Sequence, residues 1–394
     1  MTVLLLSEHY YPKVGGTVSY VENTAKQLAK EGIQVFLLVP ALGTLKNISS
    51  VKHEQPNLTL LELGVANNSI QFNNDERTIF CDWVKHNITQ LIKQYNIEIV
   101  HLLFGLFLAE VLNTLQLKQL GIKTINTIHN VPPYECSNSW KGDNTLNYYK
   151  DKIRKIGVKW INKKRIKKNE FDTYIVPSQI VKKLLSSYIP SSKIEVISHG
   201  GAEYIQPLIQ KKSSTKTIHI LTVGGLVPHK NQHLIPAIVA HLKKEGIDFI
   251  WNIVGPARNK RFVESIQNNI TQLNISELVH LKTNASNDEL REFYQNANLY
   301  IQLSSEEGFC MTTLDAIAYG IPTLGTPAGA IPEMLELVEG TIIERHLPTL
   351  KPIITHYCKI LNNLTIDNDL LNKFKSTYTW KNAATQLISI YNGR

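Results

Sequence analysis

The residues best placed to do chemistry lie in Ser304-Ser305-Glu306-Glu307-Gly308-Phe309-Cys310-Met311-Thr312-Thr313-Leu314-Asp315. Glu307 and Asp315 stand eight positions apart, across a glycine turn that opens into a helix. Two carboxylates so spaced can hold two sets of hydroxyls on one extended ligand. Acid/base cleavage of a glycoside is the other use of paired carboxylates, but here both come from one strand–loop–helix turn. A second segment, Val223-Gly224-Gly225-Leu226-Val227-Pro228-His229-Lys230, follows a strand and opens a helix, where a lysine suits a phosphate. A third, Pro12-Lys13-Val14-Gly15-Gly16-Thr17, sits at another strand-to-helix turn. Paired glycines let a ligand approach the backbone, and the helix N-terminus favours an anion. Each has a plainer reading too: an ordinary turn, a solvated lysine, solvated carboxylates.

The elements that must position these residues read as strands alternating with helices. Thr2–Leu6 is a short apolar run, and Val18, Val21, Ala25, Leu28 and Ala29 recur at helical spacing before Gly32. Strands follow at 33–39, 97–101, 123–129, 173–176 and 194–197, with helices near 75–95 and 106–120. The polar run Gln206–Lys216 reads as a linker. After it the rhythm restarts, with strands at 217–223, 249–254, 278–281, 299–303 and 322–325. Fully apolar strands alternating with amphipathic helices indicate a parallel sheet covered on both faces. The expected class is α/β, two doubly wound units in tandem. Ligands bind outside the carboxyl ends of such strands, so two units facing each other place a cleft between those ends.

The chain has 394 residues, enough for two or three domains, and its 43% apolar content is not that of a disordered or fibrous chain. Its formal charge is +9, yet Lys152–Lys168 alone holds nine basic residues and no acidic one. Setting those nine aside leaves 33 basic residues against 33 acidic. One local basic surface is therefore expected, not a protein built to coat nucleic acid. The four cysteines, at 81, 136, 310 and 358, have no CxxC spacing and read as reduced thiols of a cytoplasmic protein. No signal peptide is recognisable, and the most apolar stretch, 99–109, is about half the ~20 residues a bilayer span needs.

Taken in order, the motifs resemble family 4 of the retaining glycosyltransferases, with the two-domain GT-B fold. The ordered set is Pro-x-x-Gly-Gly, Thr127-Ile128-His129, Gly224 to Lys230, the Glu-Gly-Phe segment, Gly320-Ile321-Pro322 and Gly329-Ala330-Ile331-Pro332-Glu333, with Trp380 and Tyr391 on a last helix. The resemblance implies an acceptor-binding Rossmann-like domain over 1–205, a linker at 206–216, and a nucleotide-sugar-binding domain over 217–375. The helix at 376–394 would cross back onto the first domain.

The resemblance also implies roles. Gly15 and Gly16 line the donor phosphates, and His129 lies near the reacting sugar carbon. Lys230, beside Gly224 and Gly225, neutralises the nucleotide diphosphate. Glu307 binds donor-sugar hydroxyls. The backbone from Gly308 through Phe309, Cys310, Met311 and Thr312 holds sugar and phosphates, and Asp315 takes the ribose hydroxyls. His129, Lys230 and Glu307 form the expected catalytic set. No metal and no cofactor are implied beyond a nucleotide diphosphate sugar as co-substrate, with UDP-sugar favoured. Two departures stand out. Gly225 replaces an arginine usual in the family, and Asp315 replaces a glutamate, shorter by about 1.5 Å. By position, His229 and His199 are candidates to replace the lost cation. His199-Gly200-Gly201-Ala202 also departs from the family's Asn-Gly-Val-Asp.

The basic segment contains Lys152, Arg154, Lys155, Lys159, Lys163, Lys164, Arg165, Lys167 and Lys168, with Ile153, Ile156, Trp160 and Ile161 as an apolar stripe. A basic amphipathic helix with a tryptophan can lie on an anionic membrane or bind an acceptor there. The alternative is a stripe packed in the core behind a solvated basic face. RNA binding is disfavoured, because only Trp160 offers a stacking surface. The expected function is transfer of a sugar to a glycan or lipid-linked acceptor in cell-surface or secreted glycan assembly. The expected place is the cytoplasm, peripheral to the membrane, with room for a partner glycosyltransferase. The rival is a non-catalytic relative that serves as a binding or scaffold subunit of a glycosyltransferase complex.

Overall fold

The computed structural model describes residues 1–11, 15–43, 48–66, 74–131, 139–140, 143–206, 217–361 and 364–393. Pro12, Lys13 and Val14 of the first glycine loop, residues 207–216 of the expected linker, and Cys136 lie outside them.

The chain forms two compact units. The first contains Met1–Val131, Val158–Gly200 and Trp380–Arg394; the second contains Pro132–Gly157 and Gly201–Thr379. This division differs from one at 205 in where 132–157 and 201–205 belong, and packing explains why. Trp140 is buried in the second unit's core, edge-on to Phe262 at 5.1 Å, and Asp143 pairs with Arg261 at 3.0 Å. Ala202 is likewise in that unit's core, its amide donating to the Tyr378 carbonyl at 3.2 Å.

In the first unit the strands are β1 (Thr2–Ser7), β2 (Gln34–Leu42), β3 (Ile48–Gln55), β4 (Leu58–Ala66), β5 (Ile99–Phe104), β6 (Lys123–Thr127), β7 (Thr173–Val176) and β8 (Ile194–Val196). They form one sheet in the order β3-β4-β2-β1-β5-β6-β7-β8, parallel except for the β3–β4 hairpin. The central strand β1 is apolar from Val3 to Leu6, and these four residues are completely buried, as a sheet covered on both faces requires. The helix Trp380–Tyr391 completes one face, burying Trp380, Ala383, Ala384, Leu387 and Tyr391 in the same cluster as Val3, Leu5 and Val21. The expected helix over 106–120 is two helices, Leu106–Val111 and Thr114–Gln119. The chain turns extended at Leu112, and the Asn113 side chain then caps the second helix by accepting from the Gln116 amide at 3.1 Å.

In the second unit the strands are β9 (Ile218–Val223), β10 (Phe249–Val254), β11 (Val279–Lys282), β12 (Leu299–Gln302), β13 (Thr323–Gly325) and β14 (Thr341–Ile342), all parallel in the order β11-β10-β9-β12-β13-β14. The order reverses at β9, with β10 on one side and β12 on the other. Loops leaving the adjacent strands β9 and β12 therefore meet over the carboxyl edge, at the position where doubly wound sheets take ligands.

Among the described residues no helix is long and apolar enough to cross a membrane. The helix Thr145–Lys168 carries the basic segment, and its apolar stripe is not in a core. Ile153, Ile156 and Trp160 are 71, 72 and 60% exposed, with Leu146 and Tyr149 continuing the same face. The core-packed alternative is thereby overturned. The buried side of the helix is Asp151, Asn162 and Ile166 instead.

Candidate active site

The switch point brings Lys230 and Glu307 together. The loop after β9 carries Lys230 and the loop after β12 carries Glu307, and Lys230 Nζ donates to Glu307 Oε1 at 2.5 Å. The two loops are laced along their length. The His229 carbonyl accepts from the Ser305 amide at 2.7 Å and its hydroxyl at 3.0 Å. Asn231, in the left-handed region at φ 56°, donates its side-chain amide to the Leu303 carbonyl at 2.8 Å. Gln232 donates to the Gly225 carbonyl at 3.1 Å, holding the paired glycines in place.

Glu307 is only 4% exposed and is held from below. The Ser304 hydroxyl donates to it at 2.6 Å, Gln302 donates to Ser304 Oγ at 2.7 Å, and the Tyr300 hydroxyl donates to Gln302 at 2.7 Å. Burial alone would raise this carboxyl, but the Lys230 ammonium and the Ser304 hydroxyl outweigh it and hold it below its ordinary value. The site thus keeps a fixed carboxylate and a fixed ammonium. Gly329 shows how tightly the turn is made: at φ 54°, a Cβ there would lie 2.6 Å from the Gly308 carbonyl oxygen and 2.8 Å from Glu307 Cβ.

Beyond Glu307, Phe309 points into the core against Tyr378 at 5.8 Å. Cys310 caps the helix Met311–Ala318 in the left-handed region, at φ 82°. A non-glycine residue held there is strained. Its thiol is pushed up to about 12 by burial, which leaves it protonated and a poor nucleophile. The amides of Met311 and Thr312 open the helix, where orphan N–H groups favour an anion. The Thr312 carbonyl is taken, accepting from the Tyr294 hydroxyl at 3.1 Å. Asp315 is partly buried one turn on, and burial raises its carboxyl from 3.8 to about 7. The structure gives no direct contact between Asp315 and Glu307.

In the first unit Gly15 caps the helix Gly16–Lys30 at φ 143°, a conformation that favours glycine. His129, at the end of β6, donates Nε2–H to the Leu103 carbonyl at 2.9 Å, which leaves Nδ1 as an acceptor. Its ring packs edge-on to Tyr20 at 4.6 Å, and Tyr20 meets the His199 ring at 4.5 Å. Burial lowers His129 to about 4, so it is a neutral, oriented imidazole near pH 7.

The two histidines that by position were candidates to replace the missing cation are both held neutral by burial. His199 is buried and held well below its usual value, chiefly by desolvation. His229 is lowered to about 4 by burial and by Lys230, with Lys155 and Arg258 adding to the effect. A neutral imidazole supplies no charge. Two residues that had no role assigned from the sequence lie at the candidate site. Ser304 is the direct support of Glu307. Arg258, from the loop after β10, lies against Gly225: a Cβ on that glycine would be 3.3 Å from Arg258 Cδ. No motif marks Arg258. Only the neighbouring of β9 and β10 brings it there.

The basic helix divides its charges. Arg154 pairs with Asp151 at 3.0 Å, Lys155 with Glu306 at 3.8 Å, and Arg165 and Lys168 with Glu110 at 3.1 and 3.6 Å. Among the described residues Lys152, Lys159, Lys163, Lys164 and Lys167 make no ion pair, while Lys164 lies 3.7 Å from the Trp160 ring centre.

Residues 14–200 match the model of Glycosyltransferase Family 4, and residues 206–349 that of Glycosyl transferases group 1. Protein CapJ of Staphylococcus aureus is 25% identical over 45% of this chain and 44% of its own length, so the chain spans less than half of that relative. Alpha-monoglucosyldiacylglycerol synthase of Streptococcus pneumoniae is 23% identical over 82% of this chain and 70% of its own. Among solved structures, Anabaena Alr3699/HepE in complex with UDP-glucose superposes with a TM-score of 0.70 at 15% identity, covering 100% of both chains. The two parallel-sheet units are those of the GT-B fold. With its two halves matched in order by these family models, the chain belongs to the family 4 glycosyltransferases.

Proposed function

We propose that the chain transfers a sugar, with retention of configuration, from a nucleotide diphosphate sugar to a hydroxyl of a glycan or lipid-linked acceptor. The observation that carries this is the Lys230–Glu307 pair at the switch point of the second sheet, beside the N–H groups of Met311 and Thr312. Glu307, buried and ionised, accepts hydrogen bonds from donor-sugar hydroxyls. Lys230 and the helix N-terminus face the diphosphate. Asp315 accepts from the ribose hydroxyls. As the bond from the sugar C1 to the β-phosphate oxygen breaks, its electron pair goes to that oxygen, and fixed cations and N–H groups stabilise the growing charge. The acceptor oxygen forms the new bond to C1 from the same face and passes its proton to the departing phosphate oxygen. Neutral His129 is oriented by Leu103 and suited to accept a hydrogen bond from the sugar.

Lipid-linked acceptors and an anionic membrane surface fit the helix Thr145–Lys168, whose exposed stripe of Leu146, Tyr149, Ile153, Ile156 and Trp160 is flanked by lysines that make no ion pair among the described residues. The relative named for a glycosylated diacylglycerol is in keeping with this reading.

The test is incubation of the protein with UDP-, GDP- and ADP-sugars and membrane lipid extract, with product configuration read by NMR. A product with the donor's anomeric configuration is expected. An inverted product would overturn retention. Nucleotide binding without turnover of any donor would favour a binding subunit over an enzyme.

A further inference from the structure

We propose that Arg258 is the second cation for the leaving diphosphate, and that Gly225 is glycine so that the Arg258 side chain can lie across it. The inference rests on the nucleotide-sugar reading above and names a residue that reading does not contain.

The loops that hold the two residues are fixed to each other. The Gly224 amide donates to the Val254 carbonyl at 2.9 Å and the Leu226 amide to the Pro256 carbonyl at 2.9 Å. Gly255 lies so close that a Cβ there would be 2.1 Å from the Gly224 carbonyl oxygen. Arg258 follows three residues later, just before Asn259, which caps the helix Lys260–Gln272 by accepting from the Phe262 amide at 3.1 Å. Its stem passes over Gly225, with Cδ and Nε at 3.3 and 3.5 Å from where a Cβ would be. Gly225 is outside the left-handed region, so its backbone does not demand glycine; what a Cβ there would meet is the Arg258 stem. A side chain there would compete with the arginine for that space.

Charge balance points the same way. Lys230 is already neutralised by Glu307 at 2.5 Å, so the pair presents little net charge to an incoming dianion. His229, whose imidazole is lowered to about 4 chiefly by burial, adds no charge near pH 7. Arg258 is exposed and among the described residues makes no ion pair, so its charge remains for a ligand. A guanidinium also offers a planar fork that matches phosphate oxygens. Lys230 lies against the neighbouring glycine: a Cβ on Gly224 would be 3.8 Å from Lys230 Cδ and Cε, as one on Gly225 would be 3.3 Å from Arg258 Cδ.

The experiment titrates UDP, GDP and ADP, each against its own monophosphate, into the wild type, Arg258→Gln and Gly225→Arg/Arg258→Gln. For the base the wild type accepts, Arg258→Gln should lose about ten- to a hundredfold in diphosphate affinity and about threefold or less in monophosphate affinity. The double variant, which returns a guanidinium from the neighbouring loop, should regain most of the loss. An unchanged diphosphate-to-monophosphate ratio in Arg258→Gln would overturn the role of Arg258 and leave the nucleotide reading standing. A wild type that binds none of the diphosphates would overturn that reading, and this inference with it.

Discussion

Glu307 holds Lys230 in place, besides the sugar contact proposed for it. Replacing it with glutamine keeps the shape and hydrogen bonds to Ser304 but removes the charge that occupies Lys230. Glu307→Gln should lose about 10²–10³ in kcat, the scale seen when one charge-positioning group is removed. Its affinity for the nucleoside diphosphate should stay level or rise, because Lys230 is released. Steady-state kinetics beside calorimetry would show the split, and a matching fall in both would mean that Glu307 only holds the fold. Asp315 gives a pH prediction. Its carboxyl rises from 3.8 to about 7 on folding, so the folded chain binds more protons than the unfolded one between those values. Its contribution to stability therefore falls as pH rises through that window. Asp315→Asn should be about 1–3 kcal/mol more stable than wild type at pH 8, no more stable at pH 4, and weaker in nucleotide binding. Equal melting of the two at pH 8 would refute the buried-carboxylate account. At this scale Glu307, Asp315 and Lys230 were legible as candidates because glycine turns and strand ends frame them. Ser304 and Arg258 were not, because support and neighbouring depend on sheet order. The histidines at 199 and 229 misled because burial, which strips their charge, is invisible in residue type.

Elements show the same division. The central strands of both sheets were legible from mainly apolar runs such as Val3–Leu6 and Ile220–Val223, the latter broken only by Thr222. The β3–β4 hairpin was not, since Ile48–Gln55 reads as polar and sits at the edge of the sheet. The break at Leu112–Asn113 was hidden by apolar residues on both sides. The helix Trp380–Tyr391 belongs to the first unit's core, and its Tyr391 hydroxyl meets the buried His101 ring at 2.6 Å. Trp380→Ala should cost about 3–5 kcal/mol, as large-to-small changes of aromatic core residues do. Urea denaturation would measure it, and a loss below about 1 kcal/mol would mean the helix is only loosely docked. The helix Thr145–Lys168 makes a different prediction, because its apolar stripe faces out. Flotation with vesicles containing phosphatidylserine should recover wild type at low salt, and less at high salt as screening grows. Ile153→Ser/Ile156→Ser/Trp160→Ser should abolish flotation, and Lys163→Glu/Lys164→Glu/Lys167→Glu should weaken it. Unchanged flotation in both would end the membrane proposal.

At the scale of the molecule, charge and topology were both partly legible. The +9 net charge resides formally in one segment, and the structure gives that segment a single helix with five unpaired lysines among its described residues. Two doubly wound units were expected, and the structure has two parallel sheets whose strand order places the glycine loop after β9 beside the carboxylate turn after β12. Where the chain passes from one unit to the other was less legible, since Trp140 and Ala202 are packed by partners far off in sequence. The central claim is that this switch point binds a nucleoside diphosphate. The most direct measurement is the thermal stability of the wild type with UDP, GDP, ADP, TDP and CMP. A ligand near 100 times its dissociation constant adds about 2.7 kcal/mol, or several degrees. The account predicts a shift with one nucleoside diphosphate, larger than with its monophosphate. No shift with any of the diphosphates would contradict it.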